Sequence, residues 1–121
     1  MLLFKKKFLP AIRAGQKTQT IRLWPWRRMR AGQRSYIPGI GYITIEAVTP
    51  VSLEQLTDED AVPDGFESAA ELRKEIESIY ADKLDLGYEA FRIAFRILEQ
   101  PVESLVSQTA APNGAGPRRT A

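Results

Sequence analysis

The sequence contains no cysteine and no histidine among its 121 residues. Without cysteine the chain has no disulfides and no thiolate zinc site. Without histidine it lacks the commonest general base and the commonest metal ligand. Any catalysis must therefore use Lys, Thr, Ser, Tyr, Asp or Glu, and any metal would have to be a hard cation on oxygen ligands. We predict neither a metal ion nor a cofactor.

Long apolar runs are also missing, since no stretch approaches the roughly 20 apolar residues of a membrane helix. The apolar start over 1–4 is followed by Lys5, Lys6 and Lys7, which is the reverse of the order in a signal peptide. From these absences we predict a cytoplasmic protein that does not use a membrane, with a monomer favoured as its oligomeric state.

Acidic residues are absent from the first third of the chain. Residues 1–45 hold ten Lys or Arg and no Asp or Glu, whereas residues 46–121 hold seven Lys or Arg and all fifteen acids. This asymmetry predicts a positive face that attracts phosphates. The alternative is that the two parts neutralise each other across the fold.

Regular structure is indicated by residue periodicity and turn residues. Strands are predicted over 1–4, 18–23, 34–37, 42–51 and 91–98, and helices over 8–14, from 57–60, and from 68 to about 80. Simple alternation places Val48 on the face opposite Ile43 and Ile45. The pattern predicts an α+β fold, a small β-barrel of five to six mostly antiparallel strands with two or three short helices. We expect one domain over 1–100 and a flexible tail over 101–121, whose Arg118 and Arg119 could touch nucleic acid.

The segment 15–22, Gly-Gln-Lys-Thr-Gln-Thr-Ile-Arg, combines polar and cationic side chains with no acid nearby. In a strand, Thr18, Thr20 and Arg22 share one face. Arg22 could fork a phosphate or a carbonyl, Thr20 offers a hydroxyl, and Lys17 lies at the mouth of the strand. By itself the pattern indicates either an anion-binding strand or an exposed edge strand rich in threonine.

A second candidate is the segment 24–30, in which two tryptophans are followed by three arginines. Indole rings stack on bases and guanidinium groups bind phosphates, so the pattern suits single-stranded RNA. The candidate contacts are Trp26, Arg27, Arg28 and Arg30. The alternative is that the tryptophans close the core, and we expect one buried and one exposed. The acids 58–60 indicate a helix start better than a cation site.

These motifs together resemble the ASCH family, part of the PUA-like superfamily of small β-barrels. The resemblance covers about residues 2–98 and rests on G-x-K-T-x-T-I-R over 15–22, Gly32, L-T-x-x-D-A-x-x-D-G-F over 56–66, Leu72 to Tyr80, and F-R-I-x-F over 91–95. The resemblance implies recognition of RNA or of a modified nucleoside or nucleotide, in a cleft between barrel and helices.

Some members that this chain resembles are amidohydrolases that deacetylate N(4)-acetylcytidine. Their catalytic Lys, Thr and Glu match Lys17, Thr20 and Asp64, so the resemblance implies that Lys17 activates Thr20 or a water while the carboxylate moves protons. This mechanism requires a depressed pKa for Lys17. Asp64 departs from the pattern, because it is one methylene shorter than Glu and a shift of about 1 Å can cost about a hundredfold in rate.

Four functions follow as hypotheses. The leading one is an RNA- or nucleotide-binding domain with a basic, aromatic-edged cleft, involved in RNA metabolism. The alternative is an amidohydrolase acting on an acylated nucleoside, and a further alternative is a ribonuclease, since the resemblance extends to nucleases. The last is a module that binds a protein partner through the acidic helix over 68–80.

Overall fold

The computed structural model describes residues 1–98, apart from the side chain of Leu84. The predicted tail over 101–121, with Arg118 and Arg119, and the predicted boundary at residue 100 lie outside these described residues. Within them, no helix is long and apolar enough to cross a membrane.

The described chain is α+β and contains one antiparallel sheet that curls into a half-barrel. Its strands are β1 (Gln19–Trp24), β2 (Arg34–Ile37), β3 (Gly41–Val51) and β4 (Glu89–Ile97). The spatial order is β1-β4-β3-β2, so the last strand inserts between the first and third and leaves β1 and β2 at the edges. The edge position of β1 matters for function, because the G-x-K-T-x-T-I-R segment enters it.

The predicted count of five to six strands is wrong, because the described residues form four. Residues 1–4 do not form a strand, although the Leu2 amide donates to the Tyr36 carbonyl at 2.9 Å beside β2. The chain then turns into a short 3₁₀ helix over Lys6–Phe8, so the ladder cannot continue. In the segment 1–8, Leu2, Phe4 and Phe8 instead pack into and against the core inside the half-barrel.

A β-bulge in β3 overturns the predicted alternation of that strand. Ile45 pairs with Phe95, but the next residue to pair with β4 is Ala47, which leaves Glu46 as the extra residue. The inserted residue reverses the side-chain phase, so Val48 joins Ile43 and Ile45 in the core.

The described part of the chain forms three α-helices: α1 (Leu9–Arg13), α2 (Asp58–Ala61) and α3 (Ala69–Leu84). Thr57 and Asp60 form a capping box at the start of α2, and the Ser68 hydroxyl accepts from the Glu71 amide at the start of α3. Asp58 accepts from the first amide of α3 at 2.8 Å, so the acids of 58–60 stabilise helix starts.

Apolar side chains form two cores on the two faces of the sheet. The inner core fills the half-barrel with residues such as Ile43, Ile93 and Phe95. The outer core packs α3 against β1 and the end of β4, with Ile21, Leu72, Ile76 and others at the contact. Because α3 covers the outer face of β1 while the segment 1–8 covers its inner face, a cleft remains open along the edge of this strand.

Candidate functional site

The cleft along the edge of β1 has a volume of about 330 Å³. Its walls are the segment 3–8, β1, the turn around Asp64, and one face of α3. The residues that line it are Leu3, Phe4, Lys5, Phe8, Lys17, Thr20, Ile21, Arg22, Asp64, Phe66, Leu72, Glu75, Ile76, Ile79 and Tyr80. Most of these are apolar, so the few charged groups lie in surroundings of low polarity.

A buried ion pair between Lys17 and Asp64 forms one side of the cleft. Lys17 Nζ donates to Asp64 Oδ1 at 2.6 Å and also to the Asp64 backbone carbonyl, and both side chains are 3% exposed. Gly65 makes this double contact possible, because its positive φ of 90° ends the preceding 3₁₀ turn (Val62–Asp64) and few other residues adopt it without strain. The turn thus presents two oxygens to one amine.

Burial is the largest influence on Lys17 and lowers the pKa of its amine. The charge and hydrogen bond of Asp64 oppose this effect without cancelling it, while the charge of Arg22 adds to the lowering. Three aromatic rings surround the amine, with centroids 5.8 Å (Phe4), 5.0 Å (Phe8) and 5.6 Å (Phe66) from Nζ. These rings keep water away and offer the ammonium form a partial cation–π compensation.

Thr20 and Arg22 extend the polar group along β1. Both residues lie on the inner face of this strand, and Arg22 Nε donates to Thr20 Oγ1 at 3.0 Å. The guanidinium also donates to the Leu3 carbonyl at 2.7 Å and lies 4.7 Å from the Phe4 ring centroid. Burial lowers the pKa of Arg22. Arg22 therefore fixes the segment 3–8 to β1 and directs a cation at the threonine hydroxyl.

Glu75 of α3 connects the helix to the segment 3–8 at the cleft. Its carboxylate accepts from Lys5 and from Lys7, each at 3.2 Å. Burial raises the pKa of Glu75, but the hydrogen bonds from Lys7 and Lys5 outweigh it, so the pKa lies below its usual value. This double ion pair straps the segment 3–8 to α3.

The tryptophan–arginine segment does not line the cleft. Trp24 is 8% exposed and packs on Phe91 at 5.5 Å, whereas Trp26 is 66% exposed. Arg27 donates to the Val48 carbonyl at 2.8 Å, on β3, which lies two strands away from β1. The expectation of one buried and one exposed tryptophan agrees with this geometry, and Trp26 is not among the residues that line this cleft.

The remaining arginines of the segment also lie away from the cleft. Arg28 sits 5.7 Å from the Trp26 ring centroid, and Arg30 is exposed. Thr18 is exposed as well, because its backbone bonds to Pro63 and Phe95 take the chain past the cleft. Of the nine sequence-predicted site residues, the cleft therefore brings together four, Lys17, Thr20, Arg22 and Asp64.

The cleft is less positive than the sequence predicts. Three cations of the acid-free first third, Lys5, Lys7 and Lys17, are paired with carboxylates from the later chain, Glu75 and Asp64. Folding therefore balances the charge locally. This agrees with the alternative stated above, in which the basic residues of 1–45 are neutralised by the acidic residues of 46–121. Arg22 is the cleft cation for which the described residues provide no carboxylate within 4 Å.

Sequence reasoning missed several residues of the site. Gln19 is buried, and its Nε2 donates to Asp64 Oδ2 at 3.2 Å and to the Asp60 carbonyl at 3.1 Å. The signal for it was weak, because a glutamine next to a polar strand start is equally typical of a solvated side chain. Glu75 was missed because the helix pattern indicates only its apolar stripe. Among the described residues no acidic cluster is placed to hold a metal ion.

Comparison with solved structures finds this fold elsewhere. The hypothetical protein PH0355 has a TM-score of 0.67 and 19% identity, covering 79% of this chain and 95% of that one. An ASCH domain from Lactobacillus crispatus has a TM-score of 0.61 and 17% identity, over 73% of this chain and 68% of that one. A protein from Enterococcus faecalis has a TM-score of 0.57 and 14% identity, over 74% and 68%.

No protein-family model and no curated protein matches the sequence. Structural likeness at these identities establishes the fold and leaves the chemistry to the site itself. The resemblance drawn from the motifs is confirmed at that level: this chain has an ASCH-like fold.

Proposed function

We propose that the protein is an amidohydrolase that removes the acyl group from an N-acylated nucleoside, with N(4)-acetylcytidine as the simplest test substrate. The observation that carries the proposal is the convergence of Lys17, Asp64, Thr20 and Arg22 in one apolar cleft. This choice places the second sequence-based hypothesis above the first, because the predicted RNA-contacting segment 24–30 does not line the cleft.

The shape and charge of the cleft favour a small, uncharged, planar ligand. Its volume of about 330 Å³ falls at the lower end of the range for small-molecule sites. Its phenylalanine rings suit a flat base, whereas a phosphate chain would need several cations that are not already paired. Lys5 and Lys17 are paired in the folded protein, which leaves Arg22.

The side chains also supply the parts of an amide hydrolysis. Once the Lys17 ammonium has passed a proton to the Asp64 carboxylate, its neutral amine would take a proton from the Thr20 hydroxyl or from a water, and that oxygen would add to the amide carbonyl carbon. The guanidinium of Arg22 would stabilise negative charge at Thr20 Oγ1. The C–N bond then breaks, the proton passes through Lys17 and Asp64 to the leaving nitrogen, and water releases the acid from any ester formed on Thr20.

The test is an incubation of the protein with N(4)-acetylcytidine, with cytidine and acetate measured by chromatography. We expect turnover by the wild type and its loss in Lys17→Ala and in Thr20→Val, which is nearly isosteric. Lys74→Ala, on the exposed face of α3, is the matched control and should turn over normally. Absence of cytidine from the wild type, or equal turnover by Lys17→Ala, would contradict the proposal.

A second candidate function is binding of single-stranded RNA through the segment 24–30. The observation that favours it is the exposed Trp26 ring with the Arg28 guanidinium 5.7 Å from its centroid. Such an arrangement stacks a base and contacts a phosphate. We expect binding of a fluorescent oligouridylate to weaken with salt and to be lost in Trp26→Ala/Arg28→Ala, while Tyr42→Ala keeps it. Binding that ignores both salt and the double variant would refute it.

A further inference from the structure

Gln19 has a buried side-chain amide whose Nε2 donates two hydrogen bonds to residues 60–64. It is the first residue of β1, is 6% exposed, and pairs with Ala94 of β4. Burying an amide is costly unless its donors are satisfied. Both contacts of Nε2 lie in the region 60–64, at the Asp60 carbonyl and Asp64 Oδ2.

We propose that Gln19 is a positioning residue, which holds the Asp64 carboxylate by Oδ2 so that Oδ1 stays directed at the Lys17 amine. The inference rests on the proposed function, because it concerns the same pair, and it identifies what makes an aspartate sufficient there. An aspartate is one methylene shorter than a glutamate, so its oxygens reach the amine only if the carboxylate is held at a fixed angle.

The distances agree with this division of labour between the two carboxylate oxygens. Oδ1 lies 2.6 Å from Lys17 Nζ and Oδ2 lies 3.2 Å from Gln19 Nε2. Because each oxygen has its own partner, rotation of the carboxylate would break both hydrogen bonds. The second contact of Gln19, to the Asp60 carbonyl, ties the amide to the preceding turn of the backbone. Asp60 is in turn bonded to Arg92 of β4 at 3.1 Å, which anchors the arrangement to the sheet.

A neutral donor at this position differs from a charged one in its effect on Lys17. A carboxylate in place of Gln19 would add a second negative charge beside Asp64, which raises the proton affinity of the Lys17 amine. Loss of the donor would instead let Asp64 turn away and weaken its hold on the lysine proton. The two substitutions should therefore move the titration of Lys17 in opposite directions.

The test combines turnover with a titration that does not depend on turnover. In the full chain, Gln19→Met removes the donor at similar volume, Gln19→Glu replaces it with a charge, and Gln55→Met on the exposed surface is the matched control. The protonation of Lys17 is followed by NMR of its side chain across pH, assigned with Lys17→Ala. Circular dichroism verifies that each variant is folded.

We expect the midpoint of Lys17 to fall in Gln19→Met and to rise by about one pH unit or more in Gln19→Glu. With N(4)-acetylcytidine, kcat of Gln19→Met should fall about tenfold to a hundredfold, with KM changed less than about threefold. An unchanged Lys17 midpoint in whichever variant folds would overturn the inference. If the Lys17 midpoint shifts in the Gln19 variants but the wild type does not turn over N(4)-acetylcytidine, the proposed function is rejected and the positioning role is kept.

Discussion

Replacing Asp64 with asparagine tests the physical basis of the site, which is a buried lysine compensated by one carboxylate. Both partners are 3% exposed, so solvent does not screen the pair. Removing one partner of a buried ion pair costs about 3–5 kcal/mol, because the other charge remains buried without compensation. Asparagine keeps an oxygen that can accept from Lys17, so we expect a loss near the lower end, about 3 kcal/mol.

For a domain of this size, 1 kcal/mol corresponds to about 4–8 °C, so Asp64→Asn should lower the Tm by about 12–24 °C. Urea unfolding followed by the fluorescence of buried Trp24 measures the free energy of unfolding directly. The double variant Lys17→Met/Asp64→Asn removes both charges and should recover at least half of the lost stability. A loss below about 1 kcal/mol, or a double variant less stable than the single one, would refute the reasoning.

The pH dependence of the same variant provides an independent check with a defined sign. The pKa of Lys17 in the folded state lies below its pKa in the unfolded chain. At any pH between these two pKa values the unfolded state binds more protons, so the free energy of unfolding rises with pH. Without Asp64 the folded-state pKa of Lys17 falls further, so the pH range over which stability rises becomes wider. The difference in the free energy of unfolding between wild type and Asp64→Asn should therefore shrink as pH rises towards the pKa of Lys17 in the unfolded chain.

Three further predictions concern the strap, the arginine and the tryptophans. Glu75→Gln should cost about 0.5–1 kcal/mol at low salt and nothing at 1 M salt, whereas Glu77→Gln on the exposed face should cost nothing in urea unfolding. Because its lysine partners lower the pKa of Glu75, this contribution should vanish as pH falls through the folded-state pKa. Arg22→Lys keeps the charge but loses the two directed bonds, so turnover of N(4)-acetylcytidine should fall about tenfold or more, and unchanged kinetics would contradict its proposed role. Trp24→Ala should destabilise by about 3–5 kcal/mol, while Trp26→Ala should change stability by less than about 0.5 kcal/mol and remove the acrylamide-quenchable fluorescence.

Local patterns predicted most of the secondary structure because they depend on neighbours in sequence. The strand over 34–37 and the capped starts of α2 and α3 are where turn and cap residues indicated. The prediction of a strand over 1–4 failed because an apolar tetrapeptide cannot specify whether a ladder partner is available along its whole length. Val48 was assigned to the wrong face because a bulge depends on the partner strand, which sequence alternation does not report.

The candidate site divides in the same way. The motif around Lys17, Thr20 and Arg22 was visible because the three lie close together in the sequence, and Asp64 was found only through resemblance to a family. Gln19 and Glu75 became visible when strand and helix were placed side by side. Their sequence neighbours carry no sign of which side chains they face.

By itself the sequence determined the chemistry that is available: no thiol and no imidazole, a Lys-Thr-x-Thr strand, cations early and acids late. Only the tertiary structure decided how the charges combine, because Coulomb attraction and desolvation depend on distance and burial, and these are set by packing across the chain. Folding brings Asp64 against Lys17 and Glu75 against two early lysines. It thereby converts a strongly basic segment into a nearly balanced apolar cleft.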